Sequence, residues 1–118
     1  MDINLWVLGG RLTRDPKNNT KEGSKFTTTV FDAAHNERIK VGGEYKDKPL
    51  YFRVFAYGSV ADNCLQYLSK GSHVQVVGKG GKMEWDKDGI KQSTMTINAT
   101  QVIFLDKKPK AEEVEAPF

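Results

Sequence analysis

The stretch Leu50 to Gly58, "LYFRVFAYG", separates into two chemistries when read with the two-residue period of a strand. Leu50, Phe52, Val54 and Ala56 form one row, apolar throughout, and read as a core face. Tyr51, Arg53, Phe55 and Tyr57 form the other: three aromatic rings and a guanidinium. Flat rings on a surface offer stacking partners to any planar base, and an arginine beside them can stack or hold a phosphate. The same face would equally serve as an interface, covered by a loop or a second subunit, and the strand alone leaves both outcomes open. A second constellation lies in "GKGGKMEWDKDGIK", where Lys79, Lys82, Lys87 and Lys91 surround Trp85. Cations interleaved with an aromatic supply a track for a polyanion plus a platform for its bases; the alternative is a solvated hairpin with Trp85 folded back onto the body. Neither constellation distinguishes RNA from DNA, because contact with a 2′-OH leaves no signature in composition.

Other chemistries find little support. "GKGGKM" is not a P-loop: Val76 stands where the first glycine belongs, and Met83 replaces the Ser or Thr that would meet a metal. "DKDG" is not a calcium loop, since Gly89 comes too early and the closing acid is missing. His35, His73 and the lone Cys64 form no metal-ligand spacing and no nucleophile set, so the chain reads as a non-enzyme with neither metal nor cofactor. With one cysteine there is no disulfide framework, consistent with a reducing compartment. The apolar run from Leu5 to Leu8 is too short for a signal peptide or a membrane span.

The elements that must position these residues follow from periodicity. "INLWVLGGRL" (residues 3–12) reads as a strand bent or bulged at its glycine pair, "KFTTTVFDAA" as a second strand, and "LYFRVFAYG" as the third. The polar stretch from His35 to Lys48, with its glycine pair, reads as a long hairpin-like loop between the second and third. "SVADNCLQYLSKG" changes period: Val60, Cys64, Leu65 and Leu68 share one face of a short helix, with Ser59 to cap its start and Gly71 to end it. "HVQVVG" returns to the period of two, and Asp86 to Gly89 turns the chain into a long strand from Ile90 onward. Three strands, one short helix and two further strands with glycine corners predict an all-β domain with one helix: an OB-fold, the five-stranded Greek-key barrel, over residues 1–106.

Charge is distributed unevenly. The chain carries 18 basic and 15 acidic side chains, net +3, yet its last eight residues hold three glutamates and no base. The first 110 residues thus bear 18 basic against 12 acidic groups, +6. A basic body suits an anionic partner. Residues 107–118 read as a short unpacked acidic tail in which Glu112, Glu113, Glu115, Pro117 and Phe118 form a candidate docking tip. An ordinary solubilising terminus is the competing reading.

In combination, several segments are similar to the bacterial-type single-stranded DNA-binding proteins, the SSB family. They are "NLWVLGGRLTRDP" (Asn4 to Pro16), "YFRVFAYGSVAD" (Tyr51 to Asp62), "YLSKGSHVQVVGK" (Tyr67 to Lys79), "WDKDG" (Trp85 to Gly89) and the terminal "APF". The resemblance covers residues 3–105 and the tip. It implies sequence-independent coating of single-stranded DNA during replication, recombination and repair, in the cytoplasm on nucleoid DNA, from a bacterial, phage or plasmid gene. It further implies a homotetramer, no membrane partner, stacking by Tyr51, Tyr57 and Trp85, and phosphate contacts from Arg53 and Lys70. The acidic Pro-Phe tip would recruit replication, recombination and repair proteins, with Phe118 entering an apolar pocket. Trp6 is expected to be buried. The chain departs from the family near Glu37, where a stacking tryptophan is common and His35-Asn36-Glu37-Arg38 stands instead. It departs again before Trp85, where Gly81 and Met83 flank Lys82, and in the tip, which has spaced glutamates and almost no linker. An OB-fold RNA-binding or primosome accessory, and a protein adaptor that uses the aromatic face as its interface, are the alternative functions.

Overall fold

A computed structural model of the chain describes residues 2–106; the candidate tip residues Glu112, Glu113, Glu115, Pro117 and Phe118 lie outside the described residues. Six strands and one helix follow in the order β1 (Trp6–Leu12), β2 (Lys17–Asn18), β3 (Thr28–Val41), β4 (Glu44–Tyr57), α1 (Gly58–Tyr67), β5 (His73–Lys87) and β6 (Ile90–Phe104). The sheet order is β1-β5-β6-β4-β3-β2, and β1 also pairs with β3. That last pairing, Arg11 with Ala34 and Leu12 with Ala33, closes five strands into a barrel, with β2 as a two-residue flap on β3. β4 and β6 run parallel, joined through α1 and β5; the other pairings are antiparallel. This is the expected OB-fold.

Alternation places the core. Phe31 and Ala33 from β3, Phe52, Val54 and Ala56 from β4, Val74 and Val76 from β5, and Ile97 and Ala99 from β6 are buried, sealed by Ala61, Cys64 and Leu68 at the helix. Burial pushes the Cys64 thiol up to about 12, so this cysteine is a small core hydrophobe with no thiolate chemistry.

Several local expectations are corrected. The stretch after His35 is a hairpin turning at its glycine pair, but it is paired strand and not loop. β3 and β4 stay in register through Val41 and Glu44, and Gly42 (φ 60°) and Gly43 (φ 85°) make the tight turn between them. Positive φ at both central residues gives the turn the hand that matches strand twist. Residues 36–50 are all exposed, so they form a two-stranded arm projecting from the barrel. Leu50, assigned to the core by alternation, is 41% exposed because it lies opposite His35, where the hairpin has already left the barrel. The Gly9-Gly10 pair makes no bulge, since β1 pairs with β5 without a break from Trp6 to Arg11. Instead, Gly10 admits β3: a Cβ there would stand 2.6 Å from the Ala34 carbonyl oxygen. The register shift falls at Val77/Gly78.

At the helix, Tyr57 is the extended N-cap residue and no side chain caps the start, so Ser59 does not serve there. Leu68 ends the helix with its N–H donated to Cys64 O, three residues ahead of Gly71. Ala61 and Cys64 carry the buried face, with Val60 half-buried beside them. Trp6 is half-buried against the core, its ring lying over Gly80, where a Cβ would overlap it.

Candidate nucleic-acid interface

Residues paired across a sheet share a face, so register decides which side chains meet. On β4 the outward set is Tyr51, Arg53, Phe55 and Tyr57. Their β3 partners are Ala34, Asp32, Val30 and Thr28, small or short side chains that leave Tyr51 and Tyr57 uncovered, with Phe55 half-buried between them. Tyr51 is 60% exposed and Tyr57 44%. On the other side, Arg53 pairs with Thr96 and Phe55 with Asn98. Thr96 and Asn98 pair in turn with Gly81 and Lys79 on β5. Val30, Phe55, Asn98 and Lys79 therefore form one row across the barrel wall. Continuing along β5 and β6 by twos, the same face takes in Met83 with Thr94, Trp85 with Gln92, and Lys87 with Ile90. The arm that carries Trp85 is a hairpin whose turn residues Asp88 (φ 52°) and Gly89 (φ 80°) again have positive φ. Trp85 lines a shallow open depression with Glu84, Asp86 and Lys91.

The aromatics are held, not merely exposed. Tyr57 donates its hydroxyl to Asn98 Oδ1 at 3.3 Å, and Phe26 meets its ring edge-on with centroids 6.4 Å apart. Arg53 donates from Nε and Nη2 to the two Asp32 carboxylate oxygens at 2.8 and 3.3 Å. This bidentate pair raises the Arg53 pKa, the hydrogen bond to Asp32 being the main cause. It also sets a negative charge inside the row, so only part of the guanidinium's charge faces outward.

The β3–β4 arm extends the face. Counting by twos from Tyr51 leads through Pro49 and Asp47 to Tyr45, which is 65% exposed. Arg38 and Lys40 approach its ring at 6.0 and 5.9 Å from the centroid. Tyr45, Tyr51 and Tyr57 thus recur every six residues on one face, about 20 Å apart at strand rise.

The family model described as "Single-strand binding protein family" matches residues 3–105. The chain belongs to the single-strand binding protein family. Among its relatives, a "Single-stranded DNA-binding protein" of Aquifex aeolicus is 36% identical over 97% of this chain and 77% of its own length. One of Treponema pallidum is 34% identical over 88% of this chain and 58% of its own, so the chain spans little more than half of that relative. The solved structure titled "Plasmodium falciparum SSB complex with ssDNA" superposes with a TM-score of 0.76 at 25% identity, covering 90% of this chain and 97% of that one.

Within this SSB-family barrel, Tyr51, Arg53, Phe55, Tyr57, Lys79, Trp85 and Lys87 are brought to one face by register. Lys82 is not: alternation turns it to the opposite face of β5, where its Nζ lies 3.6 Å from Glu84 Oε2. Lys70 also stands apart, in the turn before β5, its backbone N–H donating to Asp15 Oδ1. Sequence reading passes over Asp32, Phe26 and Tyr45. Asp32 and Phe26 become partners only through pairing between strands. Tyr45, flanked by Lys46 and preceded by Arg38 and Lys40, is legible as a basic-aromatic cluster but falls in a stretch whose polarity reads as a loop. Among the described residues no cluster of His, Cys, Asp or Glu has the arrangement to hold a metal ion, and no helix is long and apolar enough to cross a membrane.

Proposed function

We propose that this chain binds single-stranded DNA without sequence preference, laying bases on Tyr51, Phe55, Tyr57 and Trp85 while Lys79 and Lys87 follow the phosphates. One observation carries the reading: strand register gathers the β4 aromatics and the β5 tryptophan, with cations between them, on one uncovered face. Such a face accepts any base, because every base has a π-surface, and it contains no helix to enter a duplex groove. The names of the relatives and of the complexed structural neighbour agree. Tyr45 with Arg38 and Lys40 continues the track along the arm and stands in for the stacking residue missing near Glu37.

The wider role follows the family: coating exposed strands on nucleoid DNA in replication, recombination and repair, as a homotetramer. Glu112, Glu113, Glu115, Pro117 and Phe118 recruit partner proteins. An apolar terminal ring preceded by a stiff proline and spaced acids suits an apolar pocket with a basic rim.

Tryptophan emission tests the central claim. Adding poly(dT) should quench the fluorescence of the wild type, and Trp85→Phe should remove that quench while leaving the signal of Trp6. Duplex DNA should bind more weakly at physiological salt, and poly(U) should compete poorly. Equal affinity for duplex and single strand would defeat the reading; preference for poly(U) would favour an RNA-binding module; no quench by either polymer would favour an adaptor.

A further inference from the structure

His35 sits where the β3–β4 arm leaves the barrel. Its Nδ1 lies 2.6 Å from the Gly9 carbonyl oxygen on β1, and its Nε2 lies 2.8 Å from Glu37 Oε1. A carbonyl and a carboxylate only accept, so each contact needs an N–H from the ring. A neutral imidazole has one; an imidazolium has two. Both contacts are therefore complete only when the ring is protonated; a neutral ring facing Glu37 keeps its one proton on Nε2, because the carboxylate is the stronger acceptor, and turns the Nδ1 lone pair on the Gly9 carbonyl. Among the described residues, no other side-chain hydrogen bond or ion pair of residues 35–50 reaches beyond the arm. Two-stranded hairpins hold together poorly by themselves, and this arm presents Tyr45, Arg38 and Lys40.

We infer that His35 is a positioning residue: protonated, it ties the arm to β1 and aligns Tyr45 with Tyr51, so that proton uptake strengthens binding of single-stranded DNA. His35 itself does not touch the strand. It belongs to the alternate face of β3, paired with Leu50, while Asp32 and Ala34 share the aromatic face. Its surroundings favour the charged form. Glu37 supplies the negative charge. From β4, Lys48 lies opposite Glu37 in register without forming an ion pair to it among the described residues. From β1, Arg11 is engaged with Gly71 O and lies 3.7 Å from Asp106 Oδ1. From β5, Gln75 faces Gly9 and His73 faces Arg11. The pKa of His35 is raised from 6.5, chiefly by the hydrogen bond to Glu37 and then by that to Gly9. A raised folded-state value means that the tie is fully present below 6.5 and is lost as pH rises through the higher folded value.

The inference rests on the single-stranded DNA reading for its consequence, but the tie can be scored without DNA. Binding of a dT oligomer would be followed from pH 5.5 to 8.5 at fixed ionic strength in the wild type, His35→Gln and Glu37→Gln. The side-chain amide that Glu37→Gln introduces can donate to Nε2 of a neutral ring that still donates from Nδ1, so this variant should keep the tie at every pH. Wild-type affinity should fall with rising pH by about three- to tenfold more than in either variant, the loss expected when an ordered arm becomes only partly populated. Positive charge gained elsewhere on the protein is common to all three and cancels in the comparison. In the free protein, amide-exchange protection across residues 36–50 should decline with pH in the wild type and not in Glu37→Gln. Parallel pH profiles in the three proteins would overturn the inference. So would a wild-type His35 ring that titrates below the ordinary histidine range by NMR, a measurement that stands even if His35→Gln does not fold. Loss of dT binding at every pH would instead refute the DNA reading, and the exchange experiment would still decide the tie.

Discussion

Replacing Asp32 by Asn should tighten the binding of single-stranded DNA. Asp32 lies on the aromatic face, holding Arg53 through two hydrogen bonds at 2.8 and 3.3 Å. A phosphate contacting the outward part of Arg53 would come within about 6 Å of that carboxylate. Coulomb repulsion there is about 0.7 kcal/mol at a dielectric of 80 and about 2.8 kcal/mol at an effective value of 20. The Arg53 and Asp32 side chains are 38% and 29% exposed, which places the site between those limits, and about 1–2 kcal/mol, or roughly five- to thirtyfold, is expected. Asn keeps an oxygen for one Arg53 donor, so orientation survives while the negative charge goes. Releasing the guanidinium for one more phosphate should also steepen the dependence of log affinity on log salt by about 0.7 for a single strand. Loss of a partly exposed ion pair should cost the fold no more than about 1 kcal/mol. Tryptophan-quench titrations with a dT oligomer between about 0.05 and 0.3 M salt, beside a urea melt, measure all three quantities. Weaker binding with an unchanged salt slope would refute the reasoning: Asp32 would then serve to aim Arg53, and its charge would be no obstacle to phosphate.

Tyr51→Ala, Tyr57→Ala and Trp85→Ala should each weaken dT binding by about 1–3 kcal/mol, the general range for losing one base stack in single-strand binders of this kind. Phe52→Ala, at a position 1% exposed, should instead cost the fold about 3–5 kcal/mol in a denaturant melt. Lys79→Ala should lower both affinity and salt slope, whereas Lys82→Ala, on the opposite face and already beside Glu84, should leave the slope unchanged in the same titrations. Phe118→Ala should leave dT binding intact and abolish capture of a purified replication or repair partner in a pull-down, the outcome expected if the terminal ring supplies the docking contact.

The aromatic row of β4 was legible because strand alternation is local: a residue's face depends on parity, and parity can be counted without knowing the neighbours. The same counting failed at Leu50. Parity says which side a residue takes but not how far the barrel extends beneath it, and beyond His35 nothing lies under the sheet. The arm was legible as a hairpin from its glycine pair but not as paired strand, because its residues are mostly polar and none from 36 to 50 is buried. A hairpin with no buried side leaves no hydrophobic period, and its backbone hydrogen bonds are invisible in side-chain chemistry. A glycine pair in β1 signalled close approach without saying what approached; Ala34, 24 positions along the chain from Gly10, supplied the answer.

By itself, the sequence determined the barrel strands, the single helix, the candidate stacking residues and the opposition of a basic body to an acidic tail, since these depend on composition and short-range spacing. Only the tertiary structure decided which of them act together. Register across β3, β4, β6 and β5 joined Lys79 and Trp85 to Tyr51, Phe55 and Tyr57, removed Lys82 from that company, and set Asp32 against Arg53. The physical reason is that pairing between strands distant in sequence is selected by burial of the whole inner face, to which the polar outer residues contribute little. Their mutual positions follow from how the core closes and are written in no local pattern of their own.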